Sequence, residues 1–438
     1  MQKNSVFLIV LFFSVIAGNL MVNGQGSTDV RQVIIANGGK FESVPPFSDY
    51  VTVESYDPAT HLVNVFNTIH TQSVQDVLIK GDTAYVAAQD SVVMYNLNTY
   101  QRMMAVLDSG VNKMAIYGNN LIITKQYPIV TYKVEIRSAS DLGLFHLITG
   151  IPGDCEGVTV YNSMIYVAVD SGYLGLNGRL AVIDPSSWTV SNIYNLGPSA
   201  IGINSLYPYG GYIYCVNKTP YGSGNVGSVT QFNPTYGTFV TNVLGINVGP
   251  GYGIAANLLY MGMNFGIGSY NLDTQSIADT TIIANPGSGT NGIVISSVGV
   301  DYINDRFYLN LGNRSSFGVG FVANFNGDSL SSYTTGLNAD ACAIDFRTPT
   351  GVSNTTSRED GVSIYPNPVN DHLMIHLNGK TTLNEINILD LTGRSILTRE
   401  VQKSEKTIRI DIPGYPSGVY MISFRTDQGS MVRKFIKR

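Results

Sequence analysis

Between Val30 and Thr350 the chain repeats one arrangement of apolar and polar positions. A short apolar run, usually carrying an aromatic residue, ends on a polar residue. The runs are Val33–Asn37, Tyr85–Gln89, Leu121–Lys125, Tyr166–Asp170, Tyr214–Asn217, Tyr260–Asn264 and Phe307–Asn310. Each is followed by a second apolar run that ends near a turn. Those turns are Tyr56-Asp57-Pro58, Tyr95-Asn96-Leu97, Ile136-Arg137-Ser138, Ile183-Asp184-Pro185, Phe232-Asn233-Pro234, Tyr270-Asn271-Leu272 and Phe325-Asn326-Gly327. An Asp or Asn side chain there can accept a hydrogen bond from the backbone two residues on and so close the turn. The turns recur roughly every 40–50 residues, with several short strands per unit and no helical periodicity. This predicts an all-β chain whose residues 25–347 form a seven-bladed β-propeller. A ring of six or eight blades, or a two-sheet sandwich, is the alternative.

The last unit is incomplete. A run over Ala341–Phe346 reads as an inner strand, yet a polar stretch follows where the next strand belongs. The missing strands stand at the other end of the repeat, from Val33 onward. Residues 341–346 are therefore expected to supply the innermost strand of a blade whose other three strands come from residues 32–67. Such a mixed blade closes the ring and leaves no open sheet edge. Residues 348–361 are polar and rich in Ser and Thr, and read as a linker. Residues 362–438 then alternate, as in His372–Leu377 and Ile408–Ile412, which predicts a small antiparallel β-sandwich.

The start of the chain reads as an export signal. Lys3 precedes an uninterrupted apolar and small-residue run over Val6–Gly18, and Val22 and Gly24 suit a cut before Gln25. That run is shorter than the roughly 20 residues a bilayer span takes. Residues 1–24 are therefore expected to be a cleaved signal peptide, with an uncleaved anchor as the alternative. The absence of a cysteine near the cut argues against a lipid anchor.

Charge separates the two bodies. The whole chain carries a net charge of −5. The body is acidic and the final stretch, ending Val432-Arg433-Lys434-Phe435-Ile436-Lys437-Arg438, is basic. An acidic body repels phosphate backbones, so nucleic acid is not an expected partner. Cys155, Cys215 and Cys342 are odd in number, widely spaced and set in apolar runs, and read as small buried hydrophobes rather than a disulfide or zinc framework.

Catalytic and metal motifs are absent. His61, His70 and His146 are isolated, and His372 and His376 would lie about 13 Å apart on one strand face, too far to share an ion. No metalloprotease, nucleophile-elbow, phosphate-loop or dinucleotide pattern occurs in a suitable context, so no metal and no cofactor are expected. Glu156, in Gly153-Asp154-Cys155-Glu156-Gly157, is the one weak catalytic candidate: a channel carboxylate raised by burial could act as a general base. The other candidate surface is collective. Loops between the second and third strands of the blades all project at one end. They carry Phe47, Tyr127, Tyr173, Tyr221 and Phe317, with Arg179 and Arg314 nearby. Aromatic rings on such loops suit stacking on a flat or sugar ligand, and the guanidinium groups suit carboxylates or phosphates.

Two resemblances add to this reading. Tyr365-Pro366-Asn367-Pro368, Thr392-Gly393-Arg394, Tyr415-Pro416-Ser417-Gly418-Val419-Tyr420 and the basic end around Lys434 resemble the C-terminal sorting domain of Bacteroidetes type IX secretion. The resemblance implies export to the outer surface of a Gram-negative cell, contact with the type IX machinery, removal of the tail near the linker, and attachment of the body to surface lipopolysaccharide. The repeat units resemble the YVTN-type propellers of bacterial surface proteins. The Glu156-Gly157 segment resembles the entry of propeller enzymes such as plant-type glutaminyl cyclases. The combined expectation is an exported, non-enzymatic surface propeller that binds a small molecule, glycan or protein. A hydrolase, lyase or cyclase using Glu156, or a structural surface-layer role, is the alternative.

Overall fold

A computed structural model describes residues 30–40, 42, 47–126, 131–170, 177–287, 292–313, 315, 318–347, 362–367, 369–377, 382–390, 395–402, 405–426 and 429–438. The chain divides into two compact units, Met1–Thr348 and Pro349–Arg438. The proposed signal peptide and linker lie outside the described residues.

Among the described residues of the first unit there are seven four-stranded antiparallel sheets. Their inner strands are Ala341–Asp345, Asp76–Lys80, Val111–Tyr117, Asp154–Tyr161, Ile203–Tyr209, Val248–Ala255 and Val294–Asp301. They define blades 1 to 7 in that order. Each inner strand neighbours the next, and that of blade 7 neighbours that of blade 1, so the sheets form a closed ring. This is a β-propeller.

Second strands are buried on both faces. In blade 1, Val33 and Ile35 of strand Gln32–Asn37 pack toward Tyr308, Val322 and Tyr333 of blade 7. Their alternates, Ile34 and Ala36, pack toward Val77, Val86 and Tyr95 of blade 2. Equivalent clusters fill the gaps between the other neighbouring blades. A strand with an apolar neighbour on either side cannot alternate in polarity, which is why these runs are continuously apolar. Outer strands face water on one side, and Val63–Ile69 is largely exposed along its length.

The seam is the mixed blade expected from the sequence. Strand Ala341–Asp345 pairs antiparallel with Gln32–Asn37, placing Val33 opposite Ile344 and Ile35 opposite Cys342. Polar groups lock both ends. At one end the Arg347 guanidinium donates to Asp345 Oδ1 at 2.8 Å and Oδ2 at 2.6 Å, and Gln32 Nε2 donates to Asp345 Oδ2 at 3.0 Å. Tyr100 of blade 2 donates to Gln32 Oε1 at 2.8 Å. At the other end Asn338 Nδ2 donates to the Gly39 carbonyl at 2.6 Å. Beside the seam, the Tyr56 ring of blade 1 and the Tyr333 ring of blade 7 stack with centroids 4.0 Å apart.

The turns follow the expected chemistry in five blades. The side chains of Asp57, Asn96, Asp184, Asn233 and Asn271 each accept from the backbone N–H two residues on, at 2.8–3.0 Å. Two turns differ from the sequence expectation. In blade 7 the acceptor is Asn324, two residues before Asn326, because strand Gly318–Asn324 ends earlier than the apolar run suggests. In blade 3 Ser138 Oγ takes the role, accepting from Ser140 N–H at 3.3 Å.

Arg137, read from sequence as a turn residue, is instead buried in a four-charge network with Asp108, Lys125 and Glu135. Lys125 Nζ lies 2.6 Å from Glu135 Oε2, and Arg137 donates to the Leu142 carbonyl at 2.8 Å. Burial pushes the Lys125 ammonium below its usual range, against the pull of Glu135. Lys125 occupies the position where four other units end in Asn. There Asn217 bonds Ser228 Oγ and Thr230 Oγ1, each at 2.8 Å.

In the second unit, strands Val362–Tyr365, His372–Leu377 and Thr407–Asp411 form one sheet. Ser395–Glu400, Leu383–Leu389, Gly418–Thr426 and Gly429–Lys437 form the other. Leu373, Ile375 and Ile410 of the first pack against Ile386, Ile422 and Phe424 of the second, making a small sandwich.

Two outcomes test this architecture. A chain ending at Gly361 keeps the cooperative melting of the propeller. One ending at Asp340 lacks the closing strand and melts at least about 10 °C lower, or without cooperativity, by calorimetry. Arg137→Met removes one of two cations facing two buried carboxylates and costs about 3–5 kcal/mol in urea unfolding.

Candidate functional site

The connections entering the inner strands and those between second and third strands lie at one end of the ring. There a cavity of about 850 Å³ opens between blades 3 and 7. Its lining includes Gln126, Glu156, Asn204, Lys218, Tyr221, Tyr252 and Phe265.

Glu156 sits on the inner strand Asp154–Tyr161 beside a β-bulge between Cys155 and Val158. A bulge re-aims a side chain that strict alternation would hold elsewhere. Its carboxylate accepts from Asn112 Nδ2 at 3.2 Å, Gln126 Nε2 at 2.5 Å and Asn204 Nδ2 at 3.5 Å. Asn112 and Gln126 come from blade 3 and Asn204 from blade 5, so one carboxylate ties three blades together. Gly157 allows this approach: a Cβ there would lie 2.6 Å from the Asn204 carbonyl oxygen. The arrangement is a hydrogen-bonding floor of planar amides around a carboxylate.

Blade 6 supplies the wall. Its inner strand begins Val248-Gly-Pro-Gly-Tyr-Gly, and a Cβ on Gly251 would meet the Tyr207 ring at 2.5 Å. The glycine thus makes room for the ring. Burial raises the pKa of the Tyr207 and Tyr252 phenols, keeping them protonated donors.

The rim is aromatic. Tyr221 stands on the loop between strands Tyr212–Asn217 and Ser228–Asn233 and is 91 % exposed. The root of that loop is pinned: Lys218 N–H donates to Gly202 O at 2.8 Å and Thr219 N–H to Val248 O at 2.9 Å. Phe265 is 66 % exposed on the two-residue connection Asn264-Phe265. Both residues have left-handed backbones, φ 48° and 66°. Asn-Gly is the favoured pair for such a turn, and a phenylalanine at the second position is a conformational outlier.

Of the candidates read from sequence, Glu156 and Tyr221 are brought to this cavity. Phe47 and Arg179 do not line it. Phe47 packs edge-on against Tyr50, which packs on His70, within its own loop. Arg179 lies half-buried on strand Gly178–Asp184 rather than on a loop. Tyr127, Tyr173, Arg314 and Phe317 lie outside the described residues. The reading missed Gln126, Asn204, Tyr252 and Phe265. The one advance signal was Asn264-Phe265, an Asn followed by a non-glycine between two strand-like runs.

Among the described residues no group of three or more His, Cys, Asp or Glu is placed to hold a metal ion. All three cysteines are free, and burial pushes the Cys215 thiol up to about 12 and the Cys342 thiol up to about 11. Among the described residues no helix is long and apolar enough to cross a membrane.

In the second unit the motif residues are structural anchors. Asn367 Nδ2 donates to the Lys434 carbonyl at 3.0 Å, and Asn367 Oδ1 accepts from Ile436 N–H at 2.9 Å. Tyr420 donates to the Pro416 carbonyl at 2.8 Å and stacks on Phe435. Gly418 opens the strand that follows Pro416 and Ser417, while Pro366 and Lys434 are exposed. Pro368, Gly393 and Arg394 lie outside the described residues.

Residues 363–438 match the secretion system C-terminal sorting domain. The tail directs the chain to type IX secretion, and so to the cell surface or the extracellular space. A search of curated proteins found no match. Solved structures similar to the chain include the WD40 repeats of RRP9, at 12 % identity and TM-score 0.49, covering 61 % of this chain and 83 % of that one. Hydrazine synthase of Kuenenia stuttgartiensis aligns at 14 % identity and TM-score 0.48, covering 65 % of this chain and 89 % of that one.

The glycine requirement is testable. Gly251→Ala forces the Tyr207 ring to move and lowers stability by about 1–3 kcal/mol in urea unfolding.

Proposed function

We propose that the propeller is a non-enzymatic binding module of the YVTN type, carried to the cell surface to hold a ligand in the cavity at the ring's loop-rich end. One observation carries this reading. Two strongly exposed aromatic rings, Tyr221 and Phe265, border a concave site whose floor is the Glu156 amide cluster. Rigid rings at a rim offer contact area at low entropic cost, and convergent polar groups below set orientation. The volume falls within the about 300–1,000 Å³ usual for ligand sites.

Glu156 supports binding better than catalysis. A general base needs a lone pair aimed at a substrate proton. Here the carboxylate is surrounded by amide donors from neighbouring blades, which makes it a positioning group for those amides. After export the tail is removed and the body is attached to surface lipopolysaccharide, which would present the cavity outward.

A thermal-shift screen of the full-length chain against sugars, peptides and corrinoids tests the proposal. The expected result is a ligand that raises the melting temperature, loses this effect with Tyr221→Ala plus Phe265→Gly, and is recovered chemically unchanged. Consumption of the ligand at a rate cut more than about 100-fold by Glu156→Gln would establish the enzyme reading instead.

A further inference from the structure

We infer that the ligand is a neutral saccharide, a class that rests on the cavity being the binding site described above. Three observations converge on it.

The first is charge. Of the described residues lining the cavity, Glu156 and Lys218 are the charged ones, so these are balanced in sign. A polyanion gains nothing from it, because recognition of phosphate or carboxylate relies on clustered cations. A cationic ligand has one carboxylate to meet, and that carboxylate already accepts from three amides.

The second is the mixture of hydrogen-bonding groups. Gln126 and Asn204 are primary amides, each both donor and acceptor, beside an acceptor-only carboxylate. A hydroxyl donates and accepts at one oxygen, so neighbouring hydroxyls of a sugar can meet both the oxygen and the second N–H of a primary amide whose first N–H is held by Glu156. A ligand offering acceptors alone would leave the amide oxygens unmet.

The third is the rim. A pyranose ring has faces of C–H bonds that pack on an aromatic plane, and Tyr221 and Phe265 present such planes to solvent. Phe265 does so from a left-handed backbone position that suits glycine, φ 66°. Its ring adds nothing to the buried clusters between blades, since it is 66 % exposed. A residue kept at a conformational cost without folded-state packing points to a task outside folding.

Calorimetric titration of the full-length chain with cellohexaose, laminarihexaose, maltohexaose, xylohexaose and mannohexaose tests the inference. Hexagalacturonate and a neutral hexapeptide serve as chemically distinct probes. The expected result is binding of at least one neutral hexasaccharide, weakened about tenfold by Tyr221→Ala and about tenfold by Phe265→Gly. Phe265→Gly relaxes its turn, so the melting temperature holds or rises while binding falls. The inference is overturned if no neutral hexasaccharide binds at millimolar concentration, or if binding is indifferent to both substitutions. Binding of hexagalacturonate or the peptide alone, sensitive to Tyr221 and Phe265, overturns the saccharide class and leaves the cavity standing as a binding site.

Discussion

The propeller depends on burying its second strands on two faces at once. Ile34 and Ala36 need blade 2, and Val33 and Ile35 need blade 7. No single sheet can satisfy such a strand, so each blade is stable only between neighbours. An open array would end on an unsatisfied apolar face and an unpaired edge. The ring is the solution with no end. Its one covalent break falls at the pairing of Ala341–Asp345 with Gln32–Asn37. Polar locks concentrate there, with Asp345 gathering Arg347 and Gln32 while Gln32 in turn accepts from Tyr100 of the next blade.

This constraint also decides where chemistry can live. Side chains between blades are committed to packing, and the outer strands are solvated edges. What remains free is the set of inner strands and the connections at the two ends. At the end built from short Asx turns, the side chains of Asp57, Asn96 and Asn233 are engaged by their own backbones. The opposite end carries the longer loops, and there the bulge at Glu156 and the glycines of blade 6 open a cavity. Rigidity and concavity arise together: the entry to blade 5 and the neighbouring blade 6 hold the loop root, as Gly202 holds Lys218 and Val248 holds Thr219.

The skeleton was legible because it obeys local rules. Continuous apolar runs reported two-sided burial, and Asn, Asp and Pro marked the turns. The seam could be read from an inner strand at Ala341 with no successor and a second strand at Val33 with no predecessor. Errors arose where a local rule was overridden by distant contacts. Arg137 looks like a turn residue beside Ser138, yet its guanidinium is drawn inward by Asp108 and Glu135, which are remote or unremarkable in sequence. The turn reads at Asn326 rather than Asn324 in sequence because the apolar run continues to Phe325, past the strand end.

The site was much less legible, and the reason is geometric. Gln126, Glu156 and Asn204 lie on three different blades and meet only because the ring brings them together. Periodicity reports which residues face a neighbour, but not which end of a strand carries a bulge. Composition reports many tyrosines, but not that Tyr207 is sheltered over Gly251 while Tyr221 stands in solvent. Asn264-Phe265 left a trace: a two-residue link between strands demands left-handed backbones, as at Asn162-Ser163, and here the second position carries a large, exposed ring. Residues that depart from a local rule without a packing reason are therefore the best sequence-level pointers to function in a repeat fold, where nearly every other position is explained by its neighbours.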